Sequence, residues 1–299
     1  MTEIKIKDNQ YPPSQKRNID LVITGSSRPQ LFPFCWESFK KYVHFRGNLR
    51  VIFNEDFVFP KESHKMIKYL EGLRDKGEIH EIIIHNPAIG LGNSLDHLIK
   101  HEIKSDFIFY LQDDWEFEVP IDLDRLLWIM ERNPKINLIF LNKSKNWPKL
   151  SETLYPQYTF DFVDFTLFHG WSFLPGIWRM KKVREKWKVR DIRPEGFFTN
   201  QFGNHEQRLD IKYCKENLGA YALGKNGEDR YIRHIGYDWR MANWRLQDGG
   251  KVPGGTYDKE LMDYRFRPAW LPKLIDTPHR KVVYEKEDIK QMLSEEIGM

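Results

Sequence analysis

Asp106-Phe-Ile-Phe-Tyr-Leu-Gln-Asp-Asp-Trp115 is a run of aliphatic and aromatic residues that ends in two adjacent carboxylates. Phe107 to Leu111 show no polar alternation, so the segment reads as a strand covered on both faces, the pattern of a parallel sheet in an α/β domain. Ligands of such sheets bind beyond the carboxyl ends of the strands, which places Asp113 and Asp114 to hold a divalent cation and the phosphates it carries. The chemistry this points to is Mg2+- or Mn2+-assisted transfer from a diphosphate. An Asp pair after a strand also serves simply as a turn or a helix cap. The rest of the chain has to decide between the two.

Upstream, Ile19 to Thr24 reads as a first strand with Leu21, Val22 and Ile23 at its apolar centre, and Gly25-Ser-Ser-Arg-Pro29 as the turn that follows. Pro29 suits a first helical turn, and Leu31, Phe34, Cys35, Phe39 and Tyr42 continue at helical spacing. A second strand, Leu49 to Phe53, ends in Asn54-Glu-Asp56. His64 to Leu73 reads as a helix and Glu81 to His85 as a third strand. Gly90-Leu-Gly-Asn93 precedes a helix with Leu95, Leu98, Ile99 and Ile103, Asn93 being the expected N-cap. This alternation predicts a doubly wound α/β layer with right-handed crossovers.

Downstream, Asp122 to Arg132 predicts a helix stopped by Asn133-Pro134, and Ile136 to Leu141 another strand. From Lys143 the pattern loosens into aromatic-rich loops and short strands, including Phe160 to Phe168 and the turn Gly170 to Gly176. A helix over Asn204 to Asn217, strands at Ala220 to Leu223 and up to His234, an Arg/Trp/Gly-rich tail from Trp239, and a final helix over Lys286 to Glu296 complete the expectation. The organisation predicted is a first half over residues 1–142 and a second half with a C-terminal extension over 143–299, packed as one domain.

Composition narrows the class. A hydrophobic fraction of 40% with 10 Trp, 13 Tyr and 20 Phe argues against disorder. No apolar run approaches the roughly 20 residues that span a bilayer, and Met1 to Asn18 lacks the apolar core of a secretory signal. The only cysteines, Cys35 and Cys214, both fall in predicted helices. A disulfide framework is therefore not expected, and a reducing, cytoplasmic setting is. The net charge of +4 is modest, yet Arg179 to Arg193 carries eight Lys or Arg against Glu185 and Asp191. Such a run is commonly a solvated helix face. Trp178 and Trp187 interleave with it, the mixture that suits a polyanion.

In the order of its elements over Ile19 to Gly236, the chain resembles a GT-A glycosyltransferase of the large family-two group of nucleotide-sugar transferases. Val22-Ile-Thr-Gly-Ser-Ser-Arg-Pro29 resembles the family's opening segment, which implies that Thr24, Ser26 and Arg28 lie against the nucleotide. Glu55 and Asp56 match the position that holds the base. Gln112-Asp-Asp114 resembles the family's DxD-type motif, implying Asp113 as the nucleotide contact and Asp114 as the ligand of Mn2+ or Mg2+. Gly203-Asn-His-Glu-Gln-Arg208 resembles its acidic acceptor-site motif. That makes Glu206 the general base, with His205 as its competitor, because His205 stands where many relatives carry a second acid. Arg230-Tyr-Ile-Arg-His-Ile-Gly236 supplies His234 as a third metal ligand. His169, Trp171 and Trp178 fall where family members line the acceptor pocket.

The resemblance implies a Rossmann-like, mostly parallel sheet flanked by helices, with an aromatic-rich C-terminal acceptor region. It implies nucleotide-sugar binding for the first half, residues 1–142, and acceptor binding for the second, 143–299. It implies an inverting transfer from a nucleoside-diphosphate sugar, such as a UDP-sugar, to a hydroxyl of a glycan or lipid. The basic Trp-containing segments also admit a hydroxylated pyrimidine in DNA, as used by phage enzymes that glycosylate their own DNA. Two other readings use the same residues. A nucleotidyltransferase places paired acids at a strand end, but no Gly-rich phosphate loop with an adjacent Lys is present here. A non-catalytic nucleic-acid-binding protein would use Arg179 to Arg193 and leave the acids structural.

Overall fold

The computed structural model describes residues 17–141, 155–188, 198–225 and 231–236. The expected helix at Lys286 to Glu296, the tail from Trp239, and Arg190 and Arg193 lie outside the described residues.

The first half alternates strand and helix: β1 (Asn18–Gly25), α1 (Phe32–Tyr42), β2 (Val43–His44), β3 (Asn48–Asp56), α2 (Pro60–Asp75), β4 (Glu81–His85), α3 (Gly90–His97) and β5 (Phe107–Gln112). Then come β6 (Trp115–Phe117), β7 (Ile121–Asp122), α4 (Leu123–Arg132), β8 (Leu138–Leu141), β9 (Gln157–Phe160), β10 (Val163–Phe168) and β11 (Gly176–Arg179). The last described elements are α5 (Met180–Lys186), α6 (His205–Leu209), α7 (Ile211–Asn217), β12 (Ala220–Leu223) and β13 (Ile232–His234).

Nine strands form one continuous sheet in the order β4-β3-β1-β5-β11-β8-β12-β10-β9. β4, β3, β1 and β5 are parallel to one another. The pairings beyond them leave only β11 and β10 running against the common direction. The sheet is parallel where sequence alternation is clearest, and mixed where it loosens. In β1 and β5, Leu21, Val22, Ile23, Phe109, Tyr110 and Leu111 are all fully buried, as strands covered on both faces must be. From α1, Phe32, Trp36 and Phe39 enter the same core, at roughly 1.5–3 kcal/mol for each side chain removed from water.

Three details depart from the sequence reading. α3 begins at Gly90, so Asn93 lies inside it and donates from its amide to the Ile89 carbonyl at 2.8 Å. Its first turn is capped from elsewhere, by Asp56. The expected helix from Asn204 to Asn217 is two helices, because Asp210 leaves helical geometry and caps α7 by accepting from Tyr213 N at 3.0 Å. β3 runs on to Asp56, which makes Glu55 a buried strand residue. Cys35 and Cys214 are buried free thiols in α1 and α7, and no described helix is long and apolar enough to cross a membrane.

The topology fixes where a site can form. From β1 the chain moves to β3 and β4 on one side, then returns to β5 on the other, so the crossover direction reverses between β1 and β5. Thr24 stands in register with both Asn54 and Gln112. The residues that follow β1 and β5 therefore meet at the carboxyl edge, at a topological switch point.

Candidate active site

The turn after β1 is held in an uncommon shape. Ser27 has φ +56°, a left-handed backbone that costs a non-glycine residue about 1–2 kcal/mol. Buried hydrogen bonds hold it there. Ser27 N donates to Glu55 Oε1 at 2.9 Å, and Ser63 Oγ donates to the same oxygen at 2.6 Å. Ser27 Oγ accepts from Val58 N and Phe59 N at 3.1 and 2.9 Å, and lies 2.6 Å from Ser63 Oγ. Because the Ser63 proton goes to Glu55, Ser27 must supply the proton between the two hydroxyls. Burial pushes the Glu55 carboxyl up to about 7, the Ser63 hydrogen bond opposing and the Asp113 charge adding.

That turn aims Arg28 at the acid pair. Its Nε donates to Asp113 Oδ2 at 3.2 Å, its Nη2 pairs with Asp113 Oδ1, and its Nη1 pairs with Asp114 Oδ2. Ser26 N adds a bond to Asp113 Oδ2 at 3.3 Å, and Asp113 N donates to the Thr24 carbonyl at 3.1 Å. Both acids are completely buried and Arg28 is 8% exposed. Burial raises the Asp113 carboxyl to about 7, against the pull of Arg28 and with the Asp114 charge adding. For Arg28 burial acts against the charge, and the two acids outweigh it, so its pKa is raised.

A short ribbon closes the other side of Asp114. β13 pairs antiparallel with β6, setting His234 opposite Trp115. The two rings stack at 4.5 Å with 25° between planes, and His234 Nε2 lies 3.0 Å from Asp114 Oδ2. Trp115 Nε1 donates to Gln112 Oε1 at 3.2 Å, Gln112 Nε2 donates to the Tyr110 hydroxyl at 3.3 Å, and that hydroxyl lies 3.0 Å from Thr24 Oγ1. Beyond the ribbon, Ile235 N donates to the Asp114 carbonyl at 2.9 Å, and Gly236 presses onto the Asp114 side chain. A Cβ at Gly236 would stand 2.3 Å from Asp114 Oδ2, so only glycine fits this approach.

Ser26, Arg28, Asp113, Asp114 and His234 thus come together, with Thr24 one hydrogen bond behind. Other expected site residues do different work. Asp56, expected at the nucleotide base, accepts from Ile89 N at 2.7 Å and Gly90 N at 3.0 Å, so both its oxygens serve the start of α3. Trp171 and Trp178, expected at the acceptor, are 1% and 0% exposed. Their rings pack with Phe198, Phe202, Phe173 and Tyr110, which leaves no face open for stacking on a sugar. His169 Nδ1 donates to the Arg208 carbonyl and so ties its loop to α6. Glu206 is exposed in the first turn of α6, whose cap is the reciprocal pair Asn204 and Gln207. The His205 side chain lies outside the described residues.

The basic stretch is also partly structural. Arg179 donates from Nε to the Ile136 carbonyl at 2.9 Å and from Nη2 to the Met130 carbonyl, tying down the end of α4. Arg184 Nη2 donates to the Ile103 carbonyl at 2.9 Å, and the Trp187 indole donates to Asp96 at 3.1 Å. No role for Ser27 or Ser63 is legible in the sequence. Their signal, small polar residues at strand and helix ends, is common throughout the chain.

Two carboxylates and an imidazole are the donors that Mn2+ or Mg2+ accepts, and glycine at 236 lets the backbone approach Asp114 closely. In this arrangement Arg28 lies against both acids. Among the described residues no trio of His, Cys, Asp or Glu is already poised around a metal position.

No protein-family profile matches the chain, and no curated protein matches it by sequence. Solved structures do match. The mannosyltransferase PcManGT from Pyrobaculum calidifontis, in complex with GDP-Man and Mn2+, superposes with a TM-score of 0.53 at 10% identity, over 80% of this chain and 67% of that one. The fold is a GT-A-type glycosyltransferase fold. S. aureus TarS residues 1–349 in complex with UDP-GlcNAc gives a TM-score of 0.49 at 9% identity, over 94% of this chain and 71% of that one. Against the longer S. aureus TarS structure the TM-score is 0.48 at 10% identity, and the chain spans 43% of its length. In GT-A terms the acid pair and the Ser26 to Arg28 turn stand at the carboxyl edge of the parallel half-sheet.

Proposed function

We propose that this protein transfers a sugar from a nucleoside-diphosphate sugar, with a UDP-sugar as the first candidate, to an acceptor hydroxyl. One observation carries the reading: a buried Asp113-Asp114 pair meets the Arg28 guanidinium at the switch point of a GT-A sheet. A diphosphate leaves well only when its developing charge is neutralised. Arg28 and the Ser26 N–H, which here bond to the acids, are the donors we assign to that charge, and Asp113 is assigned to the ribose side of the donor. Asp114 and His234 would hold Mn2+ or Mg2+, which when bound supplies Lewis-acid neutralisation of the diphosphate. The likeness to a mannosyltransferase complexed with GDP-Man and Mn2+ supports the donor class through the fold.

In the step itself the acceptor oxygen attacks the anomeric carbon as the bond from that carbon to the phosphate oxygen breaks. The nucleoside diphosphate departs with the bonding pair. The acceptor proton passes to a carboxylate, and Glu206 is the residue we assign, with His205 beside it in sequence. This makes the transfer inverting. Residues 1–142 carry the donor and the half from 143 onward the acceptor, which is a glycan or lipid hydroxyl or a hydroxylated pyrimidine in DNA.

A panel of nucleotide sugars with Mn2+, read by thermal shift and then by release of free nucleoside diphosphate, tests the reading. Stabilisation by one donor and its slow hydrolysis without acceptor is the expected result. A chain that binds none of the donors is not a transferase of this class. The binding-module alternative draws less support, since Arg179, Arg184 and Trp178 are engaged within the fold.

A further inference from the structure

The two acids share one cation. Asp113 receives Nε and Nη2 of Arg28 together with Ser26 N, and Asp114 Oδ2 receives Nη1. That same Oδ2 lies 3.0 Å from His234 Nε2. Asp114 Oδ2 is therefore engaged by two nitrogen groups.

One guanidinium thus faces two buried carboxylates. A divalent ion seated on Asp114 would stand next to the guanidinium, and like charges at that separation repel strongly in a buried site. The Arg28 backbone cannot retreat, because its carbonyl accepts from Leu31 N and Phe32 N at 3.1 and 3.3 Å at the entry to α1, and Ser27 before it is locked. Only the side chain can yield, and Nε and Nη2 keep it tethered at Asp113.

We propose that Arg28 is a displaceable internal counter-cation, released from Asp114 by the incoming divalent ion and thereby freed to bind the donor's diphosphate. The proposal rests on the donor-binding reading above. Before the ion arrives, Arg28 keeps the acids paired; afterwards the same guanidinium, still tethered at Asp113, provides planar donors suited to phosphate oxygens. Arg28 thus couples cation binding to donor binding.

Titration of the full chain with Mn2+ alone, read by the electron paramagnetic resonance signal of free Mn2+, tests this without turnover. Arg28→Gln is expected to bind Mn2+ about tenfold more tightly than wild type, because it removes the competing charge. It is also expected to bind UDP more weakly once Mn2+ is saturating. Arg28→Lys, which keeps the charge on a shorter arm and is the fallback should the glutamine variant not fold, should lie between. Near-native melting of the variants checks the fold. Equal or weaker Mn2+ binding by folded Arg28→Gln, or by folded Arg28→Lys if only that variant folds, overturns the displacement while leaving the donor reading intact. If neither wild type nor variant binds Mn2+ while UDP still binds wild type, displacement and the metal assignment both fall. If UDP does not bind either, the donor reading falls with them.

Discussion

His234 Nε2 and Asp114 Oδ2 lie 3.0 Å apart, although 120 positions separate them in the chain. The pairing of β13 with β6 makes this contact, and the stack on Trp115 orients the imidazole. His234→Ala is expected to lower Mn2+ affinity about tenfold or more while leaving the melting temperature close to wild type. Asp114→Ala should remove Mn2+-dependent donor binding altogether. Calorimetric titration with Mn2+ in the presence of UDP measures both. Unchanged affinity in His234→Ala would take the imidazole out of the metal site.

Gly236→Ala probes the same corner by shape alone. The added Cβ would fall 2.3 Å from Asp114 Oδ2 and 2.5 Å from Asp114 Cβ, and the second of these atoms cannot swing away. Either Asp114 or the ribbon must shift, at an expected cost of about 1–3 kcal/mol. Mn2+-dependent donor binding should fall with it. A thermal melt and an Mn2+ titration on the same sample separate lost stability from lost affinity.

How far these features could be read from sequence depended on whether their cause was local. The Phe107 to Leu111 run, the alternation before it and the acids after it are local patterns, and β5 and its edge acids emerged where expected. The strand at Glu81 to His85 and that at Ala220 to Leu223 matched their observed bounds. What failed to show were partners supplied across the fold. Asn93 had the chemistry of a cap, yet α3 starts three residues earlier because Asp56 reaches it from β3. Trp171 and Trp178 sit in an aromatic-rich turn and strand just before the basic run, and their packing with Tyr110 and Phe198 makes them core. The Arg28 bridge was also invisible: a turn arginine and a distant acid pair carry no mark of each other in sequence.

Stability should depend on pH through Glu55. Its carboxyl titrates at about 7 in the fold against an ordinary 4.5. Between those values the folded chain keeps a proton that the unfolded chain has released, so stability falls as pH rises from about 4.5 to about 7 and levels off above. A rise of that size corresponds to on the order of 3 kcal/mol. Facing Glu55 are Ser27 and Ser63 through hydrogen bonds, Asp113, whose raised carboxyl acts in the same direction, and Arg28, which opposes. Glu55→Gln keeps the acceptor oxygen for Ser27 N and should flatten the profile without abolishing it. Urea unfolding at about pH 5 and about pH 8, wild type against variant, gives the difference directly; equal slopes would mean that Glu55 keeps an ordinary pKa.

Donor binding and transfer should separate at α6. Glu206 is exposed on the first turn of that helix, and Asn204 and Gln207 already cap it, so the Glu206 carboxylate is not needed to start the helix. Glu206→Gln should therefore fold as wild type and bind UDP-sugar with Mn2+ as wild type, because the proposed donor contacts lie on the turn after β1 and the acids after β5. Transfer to an acceptor hydroxyl should fall about 10²–10⁴-fold, the usual contribution of a positioned base. Hydrolysis of the donor without acceptor supplies the control, since it should fall less than transfer. If Glu206→Gln transfers normally while His205→Ala does not, the proton goes to the imidazole. Normal transfer in both variants would place the base elsewhere on the acceptor side.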